Sequence, residues 1–322
     1  MTKVKICGIT NLEDALLSAK FGADALGFNF YEKSPRYIAP EKAREIVEQL
    51  PKEITKVGVF VNESLDKIAE IAEVAKLDAL QLHGEETPEF VRELKTQTNL
   101  EIIKAFRVSP EFQPENVLQY EVDAVLLDAY NPKEHGGTGE TFDWEIAKKV
   151  QEVFPKMYLA GGLDHENVHL AVRNVKSFAV DVCSGIEEIK SKKDRITLIN
   201  FLIKAKTDLG KLSPNKFYDS LSAIHQRPIM YFGRKSLTDL QNFMLGFQTA
   251  LSFAKSDFDL GKYDTEEYKK WMGEKIGYGY PNTIDCMTHI LRKFDKDEEK
   301  SFDYFFALWE EFKLEKEDLS NE

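Results

Sequence analysis

The sequence predicts an α/β protein, a (β/α)8 TIM barrel followed by a small mainly α-helical domain, and three observations carry that prediction. Eight short apolar segments alternate with longer amphipathic ones from the first residues to about residue 210. Glycine-rich turns follow the seventh and eighth of these segments, where barrels of this kind often build phosphate sites. Beyond residue 216 the alternation stops, and 20 of the chain's 37 aromatic residues fall within its last 106 positions.

The apolar segments are VKICGI (4–9), ALGFNF (25–30), KVGVFV (56–61), DALQLH (78–83), EIIKAF (101–106), DAVLLD (123–128), MYLAGG (157–162) and SFAVDV (177–182). Between them, stretches such as NLEDALLSAKFG, PEKAREIVEQL, ESLDKIAEIAEVA and TPEFVRELKTQ place apolar residues three and four positions apart, the helical period. Asn11, Asn62 and Thr87 are expected as N-caps, and Pro40 and Pro88 fall in or just before a first turn, where a helix tolerates proline. Strand then helix, eight times, is the pattern of parallel crossover units that close into a barrel. A doubly wound open sheet shares the alternation, but it predicts a glycine-rich fingerprint directly after the first strand, and ICGITN is a poor match to one.

Residues 204–216, KAKTDLGKLSPNK, lapse into a polar stretch with Gly210 and Pro214. The expected division is a barrel over residues 1–208, a linker over 209–216 and a helical domain over 217–322. The helical domain is built from pieces such as SLTDLQNFMLGFQTALSFA, TEEYKKWMGEKI, NTIDCMTHILRKF and EKSFDYFFALWEEFKL, and no repeat is shared with the barrel.

A chain of 322 residues accommodates one barrel and one small domain, and a 43% hydrophobic, 30% charged composition is ordinary for a globular protein with a real core. The formal charge of −12 argues against nucleic acid as the main partner, because phosphate backbones are held by clustered Lys and Arg. One phosphate can still be held locally by backbone amides. No leader-like N-terminus and no apolar run near a membrane span is found, so no membrane role and a cytoplasmic protein are expected. Cys7, Cys183 and Cys286 are odd in number and widely spaced, which disfavours disulfides and structural zinc.

In such a barrel, chemistry projects from the C-terminal ends of strands and the loops that follow. Cys7 ends the first strand, Arg36 follows the second, His83 ends the fourth, Asp128 ends the sixth and Asp181 lies near the end of the eighth. A thiol of pKa about 8.5 gains thiolate character from modest positive potential, so Cys7 suits a base or nucleophile; its structural alternative is a small buried hydrophobe. Asp128 after AVLL suits an acid at the mouth of an apolar core, or simply caps a loop. AGGL (160–163) and CSGIEE (183–188) suit phosphate binding, with plain turn chemistry as the alternative. HGGTG (135–139) lacks the GK[ST] of a P-loop and reads as an active-site loop, with His135 solvent-exposed.

Taken together and in order, KICGIT (5–10), GFNFYEKSPRYI (27–38), VGVFVN (57–62), LQLHG (80–84), LLDAYNPKEHGGTGETFDW (126–144), LAGGLDHENV (159–168) and VDVCSGIEE (180–188) resemble the phosphoribosylanthranilate isomerase family of tryptophan biosynthesis. The resemblance covers nearly the whole barrel. It implies an Amadori rearrangement of N-(5'-phosphoribosyl)anthranilate to 1-(2-carboxyphenylamino)-1-deoxyribulose 5-phosphate, on a small sugar-phosphate substrate and without cofactor or metal. It further implies Asp128 as general acid and Cys7 as general base, two groups whose environments should push their pKa values apart. Arg36 is similar to the arginine that meets the anthranilate carboxylate. His83 corresponds to a pocket-lining residue without proton transfer, and Gly161, Gly162, Asp181, Ser184 and Gly185 to the phosphate loops. Cys183 stands where a serine is common, and IKSKKDRI departs from the family's proline and glycine, unsettling the entry to the last helix. An isomerase of aminoimidazole carboxamide ribotide is disfavoured, since that family uses two aspartates and Cys7 stands in place of the first.

The helical domain is too short for a second barrel. QRPIMYFGRKSLTDLQNFMLGF (226–247) faintly resembles small bacterial proteins of immunity-like setting. The alternative function is therefore a fusion in which this domain binds a protein partner and the barrel is a carrier. Trp271, Phe305, Phe306 and Trp309 are expected to form a core, Arg227 and Arg234 to be solvated, and Cys286 with His289 to make no more than a faint metal pair.

Overall fold

The computed structural model describes residues 2–109, 111–129, 143–206, 221, 224–226, 228–244, 265–277 and 283–320. The expected linker, the HGGTG segment with His135, and Arg227 lie outside the described residues. The chain divides into two compact units, Met1–Thr207 and Asp208–Glu322.

The first unit is a closed barrel of eight parallel strands in sequence order. These are β1 (Lys3–Cys7), β2 (Ala25–Asn29), β3 (Thr55–Phe60), β4 (Ala79–Leu82), β5 (Glu101–Val108), β6 (Ala124–Ala129), β7 (Met157–Leu159) and β8 (Ala179–Val182). β8 pairs back onto β1 with Lys5 opposite Asp181, which closes the ring. Each expected segment contains a strand, and the residues on both faces of these strands are largely buried.

The two-residue period decides what every strand residue faces. Ala25, Val57, Ala79, Ile103, Ala105, Ala124, Leu126, Tyr158, Ala160 and Ala179 share one parity and pack on each other inside the barrel. The other parity, including Ile6, Leu26, Phe28, Phe60 and Leu82, is equally buried, beneath the helices. Continuing the inner parity toward the C-terminal ends reaches Cys7, His83, Asp128 and Asp181, and four groups from four strands therefore converge on one end of the barrel.

The connecting helices are α1 (Leu12–Lys20), α2 (Pro40–Val47), α3 (Leu65–Val74), α4 (Pro88–Gln97), α5 (Trp144–Val153), α6 (Val168–Val175) and α7 (Arg195–Lys206). Asn11 and Thr87 cap α1 and α4, accepting from Asp14 N and Phe90 N, and Pro40 and Pro88 sit in first turns. The expected Asn62 cap is corrected: Ser64 caps α3, while Asn62 takes a left-handed φ of 52° and accepts from Glu85 N at 2.6 Å, joining two loops instead. A second departure follows β5, where no α-helix forms. The described link is a 3-10 turn, Pro114–Gln119, whose only buried residue is Val117, too little apolar surface to hold a helix on the barrel.

A third departure concerns IKSKKDRI. Before α7 it forms a short antiparallel hairpin, β9 (Glu187–Ile189) and β10 (Lys192–Lys193), with Ser191 at a left-handed φ of 72° in its turn.

The second unit is helical over Pro228–Phe232, residues 237–244, Thr265–Ile276, Thr283–Lys293 and Glu298–Ser320. Phe305, Phe306 and Trp309 lie in its core, as expected. Phe302, Phe305, Phe306, Trp309 and Phe312 form one stripe at three- and four-residue spacing on the last helix, with Met272, Cys286, Met287 and Ile290 against it. Trp271 is partly buried at its edge. Cys286 is thereby accounted for as a packed apolar residue, and Arg234 pairs with Asp239 at 2.7 Å. Among the described residues, no helix is long and apolar enough to cross a membrane.

Candidate active site at the barrel mouth

The inner-parity strand ends surround a cavity of about 380 Å³ lined by Cys7, Arg36, Gln81, His83, Asp128, Asp181 and Cys183, with Lys33 and Lys190 also on its wall. Cys7 is nearly covered at 8% exposure and Asp128 at 7%, so both stand where water is scarce and charge interactions are strong.

Three ionisable groups and burial decide the state of Cys7. The Cys183 thiol donates a hydrogen bond to it and the ammonium groups of Lys5 and Lys193 lie nearby; together they overcome burial and hold the Cys7 thiol well below its ordinary range. Cys183 moves the opposite way, raised by that same bond and by burial. Glu187 Oε1 lies 4.0 Å from Cys183 Sγ, a carboxylate that opposes a second negative charge there. Of the two thiols, Cys7 is the one that ionises.

Lys5 is completely buried, two positions before Cys7 on the same inner face, and its Nζ donates to Asp181 Oδ1 at 2.8 Å. Burial works against its charge, but Asp181 and Cys7 outweigh it and keep the ammonium protonated above its usual range. Asp181 shares that one cation with Cys7, so burial pushes its carboxyl up to about 6. Gly27 supplies the room: a Cβ there would stand 2.8 Å from Cys7 Sγ and 3.2 Å from Lys5 Nζ.

Asp128 Oδ1 accepts from the Ala129 amide at 2.9 Å, and its Oδ2 lies 3.3 Å from His83 Nε2. His83 Nδ1 in turn meets Gln81 Nε2 at 2.9 Å, so the amide sets the ring's orientation beside the carboxylate. Arg36 is buried to 9% exposure and grips Glu187 with two bonds, Nε to Oε1 and Nη2 to Oε2, each 2.8 Å. That pairing holds the guanidinium charged, above its ordinary value, and leaves its Nη1 edge for a second anion.

The glycine loops come together. Gly161 and Gly162 after β7 have φ of 79° and 62°, left-handed values that favour glycine. A Cβ on Gly161 would lie 2.4 Å from the Ala129 amide beside Asp128, and one on Gly185 only 2.0 Å from the Leu163 carbonyl. The turns after β7 and β8 are thus in backbone contact, with Ser184 opening a 3-10 turn, Ser184–Ile186, between β8 and β9.

Asp181 is a correction. Expected with the phosphate loops, it lies instead inside the mouth on Lys5, and as a buried carboxylate it would repel phosphate. Sequence reading also passed over Lys5, Gln81, Glu187 and Lys193. Lys5 and Gln81 carry a signal, a polar residue interrupting an apolar strand two positions before Cys7 and His83. Glu187 and Lys193 carry none that is local, since only the hairpin folds them back onto the mouth.

The model of the family described as N-(5'phosphoribosyl)anthranilate (PRA) isomerase matches residues 4–204. The chain belongs to that family. Among the relatives of this isomerase family, N-(5'-phosphoribosyl)anthranilate isomerase of Pelobacter propionicus is 49% identical over 206 residues, 64% of this chain and 96% of its own. The crystal structure of phosphoribosyl anthranilate isomerase from Thermotoga maritima matches with a TM-score of 0.60 at 47% identity, covering 64% of this chain and 99% of that one. A phosphoribosyl anthranilate isomerase in complex with reduced 1-(o-carboxyphenylamino)-1-deoxyribulose 5-phosphate matches with a TM-score of 0.58 at 46% identity and the same coverage. Residues beyond 204 lie outside the family match.

Proposed function

We propose that the barrel isomerises N-(5'-phosphoribosyl)anthranilate to 1-(2-carboxyphenylamino)-1-deoxyribulose 5-phosphate, with Asp128 as general acid and Cys7 as general base. The observation that carries this reading is the convergence of both groups on one cavity, with Cys7 held toward its thiolate. Support comes from the relative that binds the reduced product.

The Asp128 carboxyl gives its proton to the furanose ring oxygen as the C1–O bond breaks, which leaves a protonated Schiff base between C1 and the anthranilate nitrogen. The Cys7 thiolate removes the proton from C2, and the electron pair moves toward the iminium to form an enolamine. Tautomerisation of the enolamine yields the aminoketose. The rearrangement requires one group that gives a proton to the ring oxygen and another that takes one from C2, and the two side chains stand on the wall of the same cavity. The Nη1 edge of Arg36 receives the anthranilate carboxylate, His83 lines the pocket beside the acid, and Gly161, Gly162, Ser184 and Gly185 hold the phosphate through backbone amides.

The direct test follows the decay of substrate fluorescence on adding the purified chain to freshly made phosphoribosylanthranilate; absence of decay would refute the reading. Arg36→Lys keeps the charge but loses the planar fork, and a charge-assisted hydrogen bond contributes about 1.5–3 kcal/mol, so KM is expected to rise roughly 10- to 100-fold with kcat changed less. Steady-state kinetics decide it. Because the helical unit lies outside the family match, a chain of residues 1–207 is expected to keep the full chain's kcat and KM. Lost turnover in that shorter chain would assign the helical unit a part in the reaction.

A further inference from the structure

The hairpin β9–β10 ends on a lysine that the reaction steps above do not use. Lys193 is buried, its side chain wholly without exposure. Its ammonium donates to the carbonyl of Cys7 at 2.7 Å, to the carbonyl of Cys183 at 3.0 Å and to Glu187 Oε1 at 3.1 Å. With Cys183 Sγ as a further contact at 3.9 Å, three N–H donors face four acceptors, which leaves no proton for substrate. What this ammonium does is join things: the backbone of the proposed base, the backbone at the end of β8, and through Glu187 the guanidinium of Arg36.

The hairpin that carries it is itself tied down at three places. Lys193 N donates to Asp14 Oδ2 on α1 at 3.0 Å, Thr10 Oγ1 donates to the Ser191 carbonyl at 2.8 Å, and Ser191 Oγ bonds the Pro35 carbonyl, next to Arg36. Loops after β1, β2 and β8 are thereby bound into one frame. A buried cation with a full set of acceptors is costly to place and costly to remove, so this arrangement makes a defined spacing between the thiol and the guanidinium.

We propose that Lys193 is a positioning residue for the isomerisation, holding Cys7 and, through Glu187, Arg36 at one fixed spacing. The proposal rests on the isomerase reading for what that spacing serves. The groups that face Cys7 are Lys5 on its own strand, Asp181 and Cys183 from β8 and its end, Lys193 and Glu187 from the hairpin, and Arg36 from the loop after β2. Lys193 is one of the cations among them, so its loss is felt by the thiol as well as by the backbone.

The experiment compares the full-length wild type with Lys193→Met and Glu187→Gln. Two readouts are taken across pH: kcat/KM, and the rate of iodoacetamide alkylation of the Cys7 peptide resolved by mass spectrometry. Lys193→Met is expected to lower kcat at neutral pH about tenfold or more and to move the acid limb of both profiles upward by roughly one pH unit, the equivalent of a tenfold change in ionisation. Glu187→Gln, which keeps the shape but loosens Arg36, is expected to raise KM with kcat nearly unchanged. A Lys193→Met protein with a lowered melting temperature but unmoved pH profiles would overturn the proposal, since a purely structural lysine behaves that way. Should Lys193→Met not fold, an unchanged KM in Glu187→Gln overturns it instead. A wild type without turnover refutes the isomerase reading, and the alkylation profiles then decide Lys193 independently.

Discussion

Asp128→Asn is expected to fold normally and to lose about 10²- to 10⁴-fold in kcat, the range that one positioned acid or base contributes. Asparagine keeps the bond from the Ala129 amide and the position beside His83, so the loss isolates the proton. Cys7→Ser is expected to lose a similar factor, because a serine hydroxyl does not ionise where the thiol does. The two losses should not multiply, since each group serves the same passage from ring to ketose. The pH profile of the wild type gives the sign. The base must be deprotonated and its pKa is held below the ordinary thiol value, so kcat/KM stays on its plateau at neutral pH and falls only as the pH drops through the lowered Cys7 value. Stopped fluorescence assays from pH 5 to 9 read both effects, and wild-type-like turnover in either variant would remove that residue from the mechanism.

The largest effect on stability is expected from Lys5→Met. Lys5 and Asp181 are buried together, and removing one partner of a buried pair leaves an uncompensated charge, at a cost of about 3–5 kcal/mol. For a unit of this size that is a drop of roughly 6–20 °C in melting temperature. The sign with pH follows from Asp181, whose folded carboxyl is already raised to about 6 with its cation present. Without Lys5 it rises further, so the folded variant binds a proton that the unfolded chain, titrating near 3.9, gives up. The deficit is therefore greatest at pH 8 and shrinks toward pH 5. Adding Asp181→Leu to Lys5→Met should restore much of the stability, because it removes the stranded charge. Calorimetry of the three proteins at both pH values tests this; a deficit independent of pH would show that Asp181 does not carry it.

The barrel was readable because its strands and helices announce themselves locally. Alternating apolar runs and helical periods need only a few neighbouring residues to be recognised, and burial between barrel and helices then enforces them. Asn11, Thr87, Pro40 and Pro88 took their expected places for the same reason. Where local signals compete, reading failed: Asn62 and Ser64 both suit a cap, and only the approach of Glu85 across the next loop commits Asn62 elsewhere.

Cys7, His83, Arg36 and Asp128 could be named from position alone because every strand of a closed parallel barrel ends at the same rim, so strand-end residues meet whatever their separation in the chain. Their ionisation could not be named in that way. It depends on Lys5 two residues away on the inner parity, on Cys183 and Glu187 beyond β8, and on Lys193 brought back 186 positions to the carbonyl of Cys7. Asp181 shows the limit most clearly: its place near the end of β8 names it among the mouth groups and the resemblance sets it with the phosphate loops, and only the pleat, which turns it inward onto Lys5, decides between them. Patterning along the chain specifies which residues reach the mouth; a charge's state is set by what surrounds it in low dielectric, and those surroundings exist only once the barrel has closed.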